Sequence, residues 1–247
     1  MPALKLANVY LWKCWRDTRS TFLVLLVAIL LMGAFGALVT LDPFGWLAAK
    51  SEEVRGLWRI SVDALLPTVL GVIPVAGFVL GALGVGLEFE NGTADFLFTR
   101  PRTRHYLLWT SWAVGAMQMI ALVLVSFLLL FLRTTSVRGV ETLNAALRLA
   151  AGFVTIALFV YSLTYMTTTV ARNSRNGIGL AILAMSVYGG LVVWMRLWHK
   201  VQLPIFFDLY DRWYRAGPNF LPAVGGWLAV TLALTFIAQF AFERAEI

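Results

Sequence analysis

Charge and cysteine are what this chain has little of. Only 13% of its 247 residues are Asp, Glu, Lys or Arg, against about a quarter in soluble globular proteins, and that shortfall excludes an ordinary soluble domain. A single cysteine, Cys14, excludes an intrachain disulfide and a Cys-based metal centre and leaves the redox compartment undefined. The chain has 2 histidines and no paired-histidine motif, so no metal site is expected. A phosphate-cradling Gly-x-x-x-x-Gly-Lys-Ser/Thr loop is missing as well. The sequence lacks even a Gly-Lys pair, so the chain does not hold a nucleotide in the P-loop manner.

What is present is hydrocarbon. Hydrophobic residues make up 60% of the chain and mean hydropathy is +0.79. They fall in six runs at about 21–41, 64–87, 106–132, 149–171, 177–195 and 222–242, each near the roughly 20 residues that a helix needs to cross a bilayer. The runs take more than half the chain and the loops between them are too short for a second folded unit. The expected fold class is therefore an all-α integral membrane protein with six transmembrane helices in one domain over 1–247. None of the runs contains Asp, Glu, Lys, Arg or His. Ion relays and intramembrane proteolytic centres place ionisable groups at that depth, so neither chemistry is expected. The formal charge of +7 suits anionic headgroups, which makes membrane lipid a partner and leaves no case for nucleic acid.

The first 20 residues do not read as a signal peptide. Lys5, Lys13, Arg16 and Arg19 are spread along them, and the apolar run that follows is longer than a signal core. Leu4, Leu11 and Trp15 recur at helical spacing while Lys5, Lys13 and Arg16 can point to headgroups, the pattern of an amphipathic interfacial helix over 4–19. A solvated basic lead-in is the plainer alternative. Six spans put both termini on one side. Ten basic residues fall on each side, so total charge does not orient the chain; Lys13, Arg16 and Arg19 directly before the first span favour cytoplasmic termini. Trp46, Trp109, Trp112, Trp194 and Trp198 near span ends read as interface anchors. The second span carries Pro67 and Pro74, and its Gly77 and Gly81 have the small-xxx-small spacing that lets helix backbones touch. The loop at about 196–221 mixes Phe206, Phe207, Trp213 and Tyr214 with Asp208, Asp211 and Arg212, and is expected to fold back into the outer interface.

Tyr161, Thr164, Tyr165 and Thr168 share one face of the fourth span, the most polar stripe in any span, and Gln118 in the third is similar. These five residues are candidates for lining a translocation path. Hydrogen bonding to neighbouring helices is the commoner fate of such groups in bundles.

The densest signal is the loop from Glu88 to Tyr106. Gly92 supplies a turn, the Thr93 hydroxyl suits an N-cap, and Asp95 then stands in the first turn, where the helix dipole favours an acid. A short helix over about 94–99 follows, with Phe96, Leu97 and Phe98 as its apolar residues, and Pro101 stops it. A short exposed apolar helix between acids and arginines invites a partner's groove.

Here the chain resembles a family, the membrane-spanning subunits of ATP-binding-cassette transporters of the type 2 permease group. Glu88 or Glu90, then Gly92 and Thr93, Leu97, Arg100 and Pro101, and Arg104 fill the places of an acid at the end of the second span, a Gly-Thr pair, an apolar stretch and an Arg-Pro-x-x-Arg segment. The plan of an amphipathic N-terminal helix, six spans and a long fifth-to-sixth loop matches too. The resemblance implies that the helix after Thr93, Phe96 and Leu97 included, is a cytoplasmic coupling helix docking into a separate P-loop ATPase subunit. It implies a second permease subunit, in a homodimer or heterodimer, and a bacterial inner membrane. ATP and Mg would then sit on the partner ATPase, with no cofactor on this chain, and the chain would be no enzyme by itself but the permease of an exporter. Two rivals stand beside it. One is a membrane-embedded lipid-modifying enzyme drawing on Glu88, Asp208, Asp211 or His199; the other is a non-transporting membrane anchor for an ATPase.

Overall fold

A computed structural model of the chain describes residues 2–41, 71–92, 104–137, 143–198 and 220–244. Seven helices hold nearly all of them: α1 (Pro2–Leu41), α2 (Gly71–Leu83), α3 (Val85–Glu90), α4 (Arg104–Val137), α5 (Leu143–Ala171), α6 (Ser174–Trp198) and α7 (Phe220–Glu243). No strand occurs among the described residues. Helix is the form in which a segment in hydrocarbon satisfies its own backbone polar groups. Five of the helices, α1, α4, α5, α6 and α7, are long and apolar enough to cross a membrane. The chain is thus an all-α integral membrane protein.

The hydrophobic runs and the helices agree in place, and most helices run past the runs. The third run, 106–132, lies inside α4; the fourth, 149–171, inside α5; the fifth, 177–195, inside α6; the sixth, 222–242, inside α7. Pro222 stands in the first turn of α7, where a missing N–H breaks no intrahelical bond. The second run is less regular. Its described part is α2, then a break at Gly84, then α3, while 64–70 lie outside the described residues.

One boundary differs. The interfacial helix expected over 4–19 and the span expected from 21 are a single 40-residue helix, α1. Neither glycine nor proline occurs from Ala3 through Met32, so nothing in the chain interrupts the hydrogen-bond ladder. At about 1.5 Å per residue α1 is about 60 Å long, twice the hydrocarbon thickness. Its charged part around Lys13, Arg16, Asp17 and Arg19 therefore continues the span rather than forming a separate element.

The bundle is built around α5. Of its membrane-length stretch 72% is buried, against 17% for α1 and α7 and 11% for α6. α2 and α5 touch backbone to backbone. A Cβ on Gly81 would lie 2.7 Å from the Tyr161 carbonyl oxygen, and one on Gly77 would lie 3.3 Å from the Tyr161 nitrogen, which is the close approach that their spacing predicts. α4 packs on α5 and α1, and α7 lies along α5. Ile29, Leu80, Leu108, Met119, Leu122 and Tyr165 fill the main core; Phe159, Val160, Leu163 and Ala181 make a smaller one with Trp227. Arg172, in the left-handed region at φ 53, closes α5, and α6 leaves at once against it. A Cβ on Gly177 would run into the backbone of Thr168, so the α5–α6 corner admits only glycine there.

Candidate functional site

α3 is six residues long and bounded by glycines. Gly84 departs from helix (φ −65, ψ −123), and a Cβ there would meet the Tyr165 ring at 2.6 Å. At the other end Asn91 and Gly92 donate their N–H groups to the Leu87 and Phe89 carbonyls, at 3.0 and 3.2 Å, with Gly92 at φ 64. Glycine is the residue that takes this left-handed turn without steric cost.

Three consecutive side chains of α3 reach three different helices. Glu88 accepts a hydrogen bond and ion pair from Lys13 of α1, whose Nζ also lies 3.9 Å from Asp17. The ring of Phe89 meets Phe242 of α7 edge-on, with centroids 6.1 Å apart. Glu90 Oε1 accepts from the Ser174 N–H at 2.9 Å and from the Ser174 hydroxyl at 2.6 Å, at the first residue of α6. Those two bonds hold the Glu90 carboxyl below its ordinary range, because they favour the charged form. Asn173 caps the same helix, its Oδ1 accepting the Asn176 N–H at 3.0 Å.

Around this junction the helix ends are cross-tied. Trp109 donates to Gln239 Oε1 at 3.0 Å, and Gln239 donates to Glu243 at 2.9 Å, joining α4 to the last turns of α7. Trp112 donates to the Ser162 hydroxyl at 2.9 Å. Both tryptophans, expected as interface anchors, thus also fasten helices together. Arg16 lies over the exposed Trp12 ring, 5.2 Å from its centroid, on the outer face of α1.

Of the candidate coupling residues, Glu88, Glu90 and Gly92 are in this junction. Arg104 is the first residue of α4. Thr93, Phe96, Leu97, Arg100 and Pro101 lie outside the described residues, as do the expected helix at 94–99 and most of the 196–221 loop.

All five candidate path residues are buried. Tyr161 donates to the Trp112 carbonyl at 3.1 Å and Tyr165 to the Leu108 carbonyl at 2.9 Å, both on α4. Thr164 and Thr168 bond back to carbonyls one turn earlier, and Thr168 also approaches the Gly81 carbonyl at 3.4 Å. Gln118 donates to the Thr18 hydroxyl at 2.8 Å, which itself donates to the Cys14 carbonyl at 2.9 Å. Within the single chain the two tyrosines fasten α5 to α4, while the two threonines bond chiefly along α5 itself.

The partners Lys13, Ser174 and Phe242 were not legible as site residues. Lys13 reads as a headgroup contact, and only the sign of its charge points toward Glu88. No group of three or more metal-ligating side chains occurs among the described residues. No family model matches the chain, and no curated protein matches it at a significant level.

Proposed function

We propose that this chain is the membrane-spanning permease subunit of an ATP-binding-cassette exporter of the type 2 group. It would have six spans, the second from the apolar run at about 64–87, and both termini in the cytoplasm of a bacterial inner membrane. The reading rests on one observation. The Gly-Thr, apolar, Arg-Pro segment at 92–101 leaves directly from α3, whose three side chains grip three separate helices. A segment that is to transmit a push from a partner gains most where its root is fastened to several spans at once, because a conformational change needs contacts that differ between its two states.

In this mechanism a separate P-loop ATPase, carrying ATP and Mg, engages the helix after Thr93 through Phe96 and Leu97, with Arg100 and Arg104 at its edge. Two permease subunits, alike or related, enclose the path. The buried hydroxyls of Tyr161 and Tyr165 brace α5 against α4 and the amide of Gln118 braces α4 against α1 behind it, so the exposed apolar faces of α1, α6 and α7 are available to lipid or to a second subunit. With no Asp, Glu, Lys, Arg or His in the six apolar runs, a lipidic or amphiphilic cargo suits the bundle better than a bare ion.

Affinity capture of the tagged chain from its native membrane in mild detergent, followed by mass spectrometry and an ATPase assay, tests this. A stoichiometric P-loop ATPase is expected with the wild type and lost with Leu97→Asp or Phe96→Asp, while both variants still insert. Normal ATPase recovery with either variant removes the coupling assignment. A clean preparation with no ATPase removes the transporter reading, and activity on lipid in that preparation would establish the enzyme instead.

A further inference from the structure

We infer that the outward face of α1, where it leaves the membrane, is a binding site for one anionic phospholipid. Arg16 and Arg19 hold its phosphate, and its acyl chain lies along Leu23, Val27 and Leu30. The inference needs only that the chain is an integral membrane protein, and it goes beyond the transporter reading.

The helix itself sets the depth of the site. α1 is unbroken through this stretch, and its exposed side chains from Leu23 to Leu31 are all apolar, so hydrocarbon reaches up to about Leu23. At about 1.5 Å per residue, Arg19 stands about 6 Å and Arg16 about 10 Å beyond Leu23 along the axis. The headgroup layer adds about 5–8 Å to each side of the hydrocarbon. An upright α1 therefore carries Arg19 through that layer and Arg16 to its edge, and any tilt draws both into it.

The face is continuous. Trp12, Arg16, Arg19, Leu23, Val27 and Leu30 fall within a strip about 80° wide, and all six are exposed. Cys14, Thr18, Phe22 and Ile29 turn the other way and are buried against the bundle. The charges divide in the same manner. Lys13 is taken up inside the protein by Glu88, whereas Arg16 and Arg19 are left on the lipid side.

Both guanidinium groups are ready for an anion. That of Arg16 lies over the Trp12 ring and commits only Nε to Asp17, at 3.5 Å, so its terminal nitrogens face outward for the paired grip that arginine gives a phosphate. Arg19 is exposed and belongs to none of the ion pairs among the described residues. Residues three apart on a helix are neighbours, and like charges there repel; an anion shared between them turns that repulsion into attraction. A free phosphate matches only the arginines, and a zwitterionic lipid brings a cation of its own against them. An anionic phospholipid matches both the arginine pair and the apolar track below it.

The test titrates the full chain, purified in mild detergent, with phosphatidylglycerol or with phosphatidylcholine of the same acyl chains. Native mass spectrometry reads the lipid retained, and tryptophan fluorescence reads the melting temperature. One phosphatidylglycerol should be retained in preference to phosphatidylcholine and should raise the melting temperature. A basic residue near an anionic surface contributes about fivefold in affinity, so Arg16→Gln combined with Arg19→Gln should weaken retention about thirtyfold. Arg175→Gln combined with Arg244→Gln removes the same charge from exposed positions on α6 and at the end of α7 and should leave retention at the wild-type level. Asp17→Asn, which frees Arg16 of its carboxylate, should tighten it. Equal retention of the two lipids by the wild type, equal loss in the two charge-matched doubles, or no gain with Asp17→Asn overturns the site. An equal rise in melting temperature with inorganic phosphate alone overturns the lipid as occupant. So does a lipid-insensitive dimer of the wild type that the Arg16 and Arg19 double variant splits, which would place a second copy on this face.

Discussion

Substituting Gly81 by alanine tests the packing on which everything above depends. The new methyl carbon would stand 2.7 Å from the Tyr161 carbonyl oxygen, 2.8 Å from Thr164 Cβ and 3.1 Å from the Tyr165 nitrogen. Two of these are backbone atoms of α5 and cannot swing aside. α2 must therefore retreat by about 0.7 Å to regain ordinary contact. A gap of about that size forfeits a quarter to a half of the dispersion energy of each atom pair it opens, and forcing a methyl into a packed core typically costs about 1–3 kcal/mol. The retreat would also lengthen the approach of Thr168 to the Gly81 carbonyl, already 3.4 Å. Gly77→Ala should cost less, because its closest neighbour is a methyl of Val160 at 3.0 Å. Gly189→Ala on α6 is the control, since a Cβ there meets nothing within 4 Å. Melting of the purified protein in mild detergent, followed by the fluorescence of its 10 tryptophans, should rank the variants with Gly81→Ala lowest, Gly77→Ala next, and Gly189→Ala at or above the wild type. If Gly81→Ala melts with the wild type, or Gly189→Ala falls as far, the α2–α5 contact is not the one described.

Tyr165→Phe removes a hydroxyl that donates to the Leu108 carbonyl at 2.9 Å; side-chain bonds in bundles average about 0.6 kcal/mol and reach about 1.7, so a small drop in melting temperature is expected, and a large one would mean the hydroxyl does more than fasten two helices. Lys13→Met should cost more than Glu88→Gln, because it takes the cation away from the less exposed of the two charges, whereas Lys13 without Glu88 keeps Asp17 at 3.9 Å; equal costs in the same melting assay would contradict the pairing. The Glu90 carboxyl titrates lower in the folded chain than its ordinary 4.5, so its contribution is fully present above that value and is lost as pH falls through the depressed folded value. The spacing of spin labels placed at Asn91 and Asn173 should therefore hold steady from neutral pH down to about 5 and widen in stronger acid, and Glu90→Gln should flatten that change.

The helices were legible because hydropathy is a local property: each run of about 20 apolar residues states its own membrane crossing. What they touch is not local. Lys13 and Glu88 stand 75 positions apart, and the sequence gives the sign of each charge without the distance between them, so a headgroup was the natural partner for Lys13. The end of α1's surface part was misplaced for a related reason. Charges at Lys13, Arg16 and Arg19 mark where water begins, which is a statement about depth, whereas a helix ends only where its backbone ladder is broken, and Ala3 through Met32 offers no residue to break it. The stripe of Tyr161, Thr164, Tyr165 and Thr168 was visible as a face from its spacing alone. That the face meets α4 and α2 needed the third dimension. The break at Gly84 was hidden among the neighbouring Gly77, Gly81 and Gly86, which look alike in sequence and differ only in what a Cβ would strike.

The fastenings of α5 also bear on how the chain is made. A helix that enters the membrane during synthesis can bond only to helices already there. Tyr161 and Tyr165 bond to carbonyls of α4, Ser162 accepts from Trp112 of α4, and Thr168 approaches the Gly81 carbonyl of α2, so all of these partners precede α5 in the chain. The most polar span is therefore met on arrival by a finished docking surface, and its hydroxyls leave water for waiting acceptors rather than for lipid. Thr167 reaches forward, to the Gly177 carbonyl of α6, and that bond closes as soon as the corner at Arg172 is made. Chain order thus serves as an assembly schedule, in which the helix that could least be left alone in the bilayer is never alone there.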